Sequence, residues 1–171
     1  EARAEEARDA ARSVHFMLTY VSEGIDLMHV YIHRGELDRA DAMGIEVGEL
    51  LHHGVGSHGP IWDARLAEAK AEAALEKGSL PEAVVFATNA LALAQAIGRP
   101  KYEALSLSAR GTAMVRMGKK RDGIADLRQA VEVVRPMGAP AVFLRTSAAL
   151  LAYDGDDTLT AEARQAVDRI L

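Results

Sequence analysis

Histidines, a glycine-rich loop and several acidic runs are the residues of this sequence whose types and spacing bear on chemistry. His29 and His33 stand four apart, a spacing at which one helix face offers two imidazoles to a metal ion. The pattern His-Glu-x-x-His is absent, however, and no acidic third ligand stands beside them. His52, His53 and His58 could join only if the fold gathered them, so no metal is expected. Gly54-Val-Gly56-Ser-His-Gly59 matches G-x-G-x-x-G in letters. The dinucleotide motif needs a strand before its first glycine, whereas here a helical pattern precedes it and Pro60 follows. It reads as an inter-repeat loop, and no cofactor is expected. Ser57-His58 are adjacent, but a nucleophile and its base are defined by spatial geometry rather than by sequence order. Asp154-Gly-Asp-Asp157 lacks the alternate acidic places and closing Glu of a calcium loop, and reads as the cap of a helix. Glu68, Glu72 and the other acidic residues are spread along helix faces. No catalytic residue emerges, and the chain is not expected to be an enzyme.

The elements that must position these groups are helices. The chain has 171 residues, of which 32 are alanine, the strongest helix former. Hydrophobic residues make up 49%, which excludes wholesale disorder, and the absence of cysteine excludes disulfides and thiol chemistry. A net charge of −5 leaves no basic footprint for nucleic acid. The charged start and the lack of a long apolar run argue against a signal peptide or membrane span, so a soluble, cytoplasmic chain is expected. Opening on Glu1 and closing on Leu171 within a helical run suggests a piece of a longer protein. Apolar residues recur at three and four, as in Leu27, Val30 and Tyr31, and alternating strand patterns are missing. Helices are predicted near 1–14, 17–34, 37–52, 60–77, 80–97, 100–117, 120–135, 140–153 and 159–171. Pro60, Pro81, Pro100 and Pro140 stand just inside helix starts, while Pro136 helps to end one. Ser79-Leu80-Pro81-Glu82 has the spacing of a capping box.

The sequence also repeats. Arg34-Gly-Glu-Leu-Asp-Arg-Ala40 returns as Lys77-Gly-Ser-Leu-Pro-Glu-Ala83 and, more loosely, as Met117-Gly-Lys-Lys-Arg-Asp-Gly123, with Gly155 marking a weaker fourth copy. Gly35, Gly78, Gly118 and Gly155 are spaced 43, 40 and 37 residues. Fixed periods of this size indicate stacked helical pairs. The unit resembles a tetratricopeptide (TPR) repeat. Leu107, Gly111, Met114, Gly118, Gly123, Leu127, Ala130 and Pro136 fall at or near that family's signature places. Ala67, Ala71, Ala74, Gly78, Ala83 and Ala90 do so in the second copy, and Tyr31, Gly35, Ala40, Gly44 and Val47 in the first. The period is longer than the family's usual 34. Lys70 and Arg110 occupy places where a large apolar residue is usual, so their stems are expected to snorkel. The long period is similar to that of scaffold proteins and of the sensor region of large bacterial ATPase-type transcription regulators.

The resemblance implies an all-α, TPR-like right-handed helical solenoid of antiparallel helix pairs. It would form a single domain over 1–171, with repeats near 17–52, 60–97, 100–136 and 140–171 and an extra N-terminal helix over 1–14. In such solenoids the first helix of each pair lines a concave groove. The inward positions are then Ser22, Ile25 and His29, with Arg65, Glu68 and Glu72, Leu105, Ser108 and Thr112, and Arg145. The polar members form a mixed groove for a protein or peptide partner. Trp62 reads as an inter-repeat packing anchor, with a binding hot spot as the second reading. The function implied is a non-catalytic protein–protein interaction scaffold. The alternative is a ligand-sensing regulatory segment of a larger signal-transducing ATPase or transcription regulator. Neither nucleic acid nor membrane is an expected partner. Self-association through the last helix is a further expectation, since Ala163, Val167, Ile170 and Leu171 lie on it.

Overall fold

Alanine-rich runs set between proline and glycine fold as helices because nothing in them competes with the helical backbone. A computed structural model describes residues 2–13, 17–52 and 59–170, and among these the chain is all-helical. The elements are α1 (Ala2–Ser13), α2 (Met17–His33), α3 (Leu37–His52), α4 (Gly59–Glu76), α5 (Leu80–Ala96), α6 (Pro100–Arg116), α7 (Lys120–Val134), α8 (Pro140–Leu151) and α9 (Asp157–Asp168). A 3-10 turn, Arg135–Met137, follows α7 and contains Pro136. The glycine-rich segment 54–58, with Ser57 and His58, and also His53 and Leu171, lie outside the described residues. No helix among the described residues is long and apolar enough to cross a membrane.

Sequence neighbours pair: α2 with α3, α4 with α5, α6 with α7, and α8 with α9, while α1 lies on α2. Each second helix also meets the next first helix. The first helices touch in series, α2 to α4 to α6 to α8. An apolar cluster around Val21, Ile25, Leu27, Met28 and Val47 seals the first pair onto α4, with Trp62 packed against it. Leu127, Val131, Leu150 and Leu159 do the same at the other end.

The period is stricter than the glycine spacings suggest. Helices α5, α6, α7 and α8 start at 80, 100, 120 and 140, a step of 20 residues per helix. The turns at Gly78 and Gly118 carry φ of +77° and +83°, a left-handed cap that side chains disfavour. At these turns Ser79 N–H donates to Ala74 C=O and Lys119 N–H to Met114 C=O, both at 2.9 Å, which satisfies carbonyls the helix end would leave open. Buried positions repeat every 40 residues: Ala64 with Ala104, Ala67 with Leu107, Ala87 with Leu127, Ala90 with Ala130 and Ala94 with Val134. Gly155 breaks this register by three residues and does not adopt the left-handed turn. The last helix starts instead where the Asp156 carboxylate accepts from Leu159 N–H at 3.0 Å, two residues earlier than expected. Ser79 stands at the N-cap of α5 but its hydroxyl makes no capping bond, because its ψ of +63° departs from the extended backbone that aims a cap at the helix.

Small residues set the distance between paired helices. A Cβ on Gly111 would stand 2.7 Å from the carbonyl oxygen of Gly123, and one on Gly123 would stand 2.6 Å from that of Gly111. In the first pair the Lys70 stem runs beside Gly44 and Gly48, so its methylenes fill the place expected of an apolar residue. Arg110 solves the same position differently, with Nε and Nη2 on the Asp126 carboxylate at 2.6 and 2.9 Å.

Candidate functional site

Helical spacing of three and four residues puts Ser22, Asp26, His29 and His33 on one face of α2, and Arg65, Glu68 and Glu72 on one face of α4. The packing of α2 on α4 brings these two faces together. Arg65 donates to Ser22 Oγ at 3.2 Å and to Asp26 Oδ1 at 2.5 Å, while its guanidinium sits 5.0 Å from the centroid of the Trp62 ring. One turn further, His29 Nδ1 lies 2.9 Å from Glu72 Oε2 and Nε2 lies 3.4 Å from Glu68 Oε2. Arg145 then arrives from α8, with Nη2 at 2.9 Å from Glu72 Oε1 and 3.5 Å from Glu68 Oε1. Three helices distant in sequence thus meet over two carboxylates.

Those carboxylates are deeper than a solvated groove would place them. Glu68 is 1% exposed and Glu72 8%. Burying a carboxylate is tolerated only with opposite charge and hydrogen bonds around it. For Glu72, burial pushes the pKa up, but the hydrogen bond from His29 and the charges of Arg145 and His29 outweigh it and hold the group below its ordinary value. For His29, burial works downward, yet hydrogen bonding and charge from Glu68 and Glu72 raise its pKa to about 9. The imidazole is therefore protonated at neutral pH and donates to the carboxylates, so it is not poised as a general base. Glu68 Oε1 keeps no hydrogen-bond partner, only the longer contact with Arg145.

Beside this cluster lies a cleft of about 290 Å³, lined by Asp26, His29, His33, Arg65, Glu68 and Arg145 together with Lys101, Tyr102 and Leu105 of α6 and Ala141 and Val142 of α8. Of the groove residues read from sequence, Ser22, His29, Arg65, Glu68, Glu72 and Arg145 are gathered by direct contacts. Ser108 is buried and Thr112 half-buried on α6, and neither lines the cleft. Ile25 turns away altogether, into the apolar cluster under α3. Asp26, Lys101 and Tyr102 were missing from that reading. Asp26 stands midway between Ser22 and His29 on the same helical stripe, and that spacing was the available signal. Lys101 covers the Tyr102 ring at 5.4 Å, and burial raises the Tyr102 pKa. His29 and His33 share the cleft, but among the described residues no group of histidine and carboxylate side chains is arranged to hold a metal ion. No family model matches the chain, and no curated protein is significantly similar to it.

Proposed function

We propose that the chain is a non-catalytic scaffold, a TPR-like solenoid whose concave groove along α2, α4, α6 and α8 holds a protein or peptide partner. One observation carries this reading: polar side chains of all four first helices converge on a single open cleft, while their other faces are spent on the core. Serial contact of first helices, the 40-residue register and the left-handed glycine turns support the repeat assignment. A groove built on packed helices is formed before the partner arrives, which spares the complex much of the ordering cost. Mixed charge along the cleft suits a polar, extended segment better than an apolar helix.

The cleft's size also favours a second reading, a small polar ligand sensed by a segment of a larger regulator, since 290 Å³ sits near the lower end of small-molecule sites. Both readings are tested with partners recovered and purified on the chain. Lys101→Glu and Tyr102→Ala should weaken a groove partner by about tenfold or more. Arg121→Glu, 97% exposed on α7, should leave it unchanged. Equal affinity in all three would remove the groove from the account. A small ligand would instead raise the melting temperature of the chain without any protein partner.

A further inference from the structure

The first three helix pairs offer an internal comparison at one position. Leu27 of α2, Lys70 of α4 and Arg110 of α6 are equivalent under the offsets of 43 and 40 residues, and so are Met43 of α3, Phe86 of α5 and Asp126 of α7. In the first pair both residues are apolar and buried in one cluster. In the third pair both are charged and joined by two hydrogen bonds. The middle pair is mismatched: Lys70 stands at the place of the cation, Phe86 stands at the place of the carboxylate, and both line one cavity. No ion pair or hydrogen bond involves Lys70 among the described residues.

A cavity of about 230 Å³ opens at this mismatch. Its apolar walls are Met28, Gly44, Ala74, Phe86 and Ile45, the last 62% exposed. Charged groups at the rim are Lys77, which is engaged with Asp41, and Glu82 of α5. The lining comes from α2 to α5, and α6 and α8, which line the groove, take no part. The volume corresponds to roughly eight waters at ~30 Å³ each, room for a short chain.

We propose that this cavity binds a small monocarboxylate with an apolar tail. Its carboxylate takes at Lys70 the role that Asp126 plays for Arg110, and its tail lies against Met28, Ile45 and Phe86. A charge-assisted hydrogen bond supplies the selectivity, and removal of Ile45 and Phe86 from water supplies the affinity. Glu82 disfavours a dianion. This site is independent of the partner groove, and each stands if the other fails.

Hexanoate, hexanol and hexylamine titrated into the chain, followed by calorimetry and amide chemical shifts, test it. Hexanoate should bind about tenfold or more tightly than hexanol, with hexylamine weakest, and should move the amides of Ile45 and Phe86. Lys70→Met should erase the preference for hexanoate over hexanol, and Lys70→Arg should keep it. Phe86→Asp, which supplies the counterion internally, should abolish binding. Equal affinity for hexanoate and hexanol, shifts confined to Tyr102 and the groove, or no binding of hexanoate at about 10 mM would overturn the proposal. These readouts on the wild-type chain decide it even where a variant fails to fold.

Discussion

The α4–α5 pair and the α6–α7 pair are two solutions on one frame. Forty residues apart, the same positions are buried, but size and charge are distributed differently over them. The α6–α7 pair crosses through Gly111 and Gly123, backbone against backbone, where α4–α5 carries Ala71 and Ala83. In turn, α6–α7 fills its core with Leu107, Leu127, Val131 and Val134, where the other pair has Ala67, Ala87, Leu91 and Ala94. Larger flanking side chains accompany the glycine crossing, as a close-packed interior requires. On the groove side the contrast is chemical. Glu68 and Glu72 stand on α4 where Ser108 and Thr112 stand on α6. Among the described residues, His29 and Arg145 both pair with carboxylates of α4, and it is there that buried carboxylates are matched by cations.

Four substitutions probe that contrast as two matched pairs, the pair with the strongest effect first. Gly111→Ala places a methyl against the backbone of Gly123, which has no room to yield, and should cost about 3 kcal/mol in urea unfolding at unchanged slope. Ala71→Gly, the reverse change in the sister pair, should cost only about 1 kcal/mol, from the loss of helix propensity. Equal costs would show that the close crossing is not special to α6–α7.

Glu68→Ser gives α4 the residue of α6 and leaves two cations sharing one carboxylate. Breaking a fully buried pair costs roughly 3–5 kcal/mol, and the 40% exposure of the Arg145 side chain brings the expectation down to about 2. Ser108→Ala in α6 should stay below about 1 kcal/mol in the same denaturation assay. A Glu68→Ser effect no larger than that of Ser108→Ala would mean the charged cluster is only decorative.

The cluster also predicts a pH dependence. The His29 pKa is raised from 6.5 to about 9, so its contribution is complete below pH 6.5 and is lost as pH rises through 9. The Glu72 pKa is lowered, so its contribution is present above 4.5 and fades as pH falls below that. The stability gap between wild type and His29→Gln should therefore be widest near about pH 6 and shrink by about 2 kcal/mol by about pH 10. A gap that stays flat across this range would contradict the assignment. The smallest effect is expected at Arg128→Ala, which removes an exposed pair with Asp154 and should change stability by less than about 0.5 kcal/mol in a thermal melt.

Most of the helix boundaries were legible because proline and glycine act locally: Pro100 and Pro140 each open a helix, and Gly78 and Gly118 each close one. The 20-residue step was hidden by Gly155, a glycine in the wrong register. That Ser22 and His29 share a face of α2, and Arg65, Glu68 and Glu72 a face of α4, followed from helical spacing, but the burial of Glu68 and Glu72 did not. Within α4 they look like a solvated i, i+4 stripe. What covers them is His29, 43 residues before Glu72, and Arg145, 73 residues after it, and no local pattern encodes such distances. One local sign was present. Alanine surrounds α4 on every side, as in Ala69, Ala71, Ala73 and Ala74, which marks a helix packed all round.

Arg145 reaches from α8 to α4 with α6 lying between them. Where each helix meets only its neighbours, small errors of packing angle accumulate along the row, and the far ends drift apart or together at little cost. A bond that skips a member fixes the span directly instead of through two successive joints. Core packing then sets how neighbouring helices meet, and a partly exposed ion pair sets the distance between α4 and α8. Because salt weakens such a pair, rising ionic strength is expected to loosen the tie between α8 and α4.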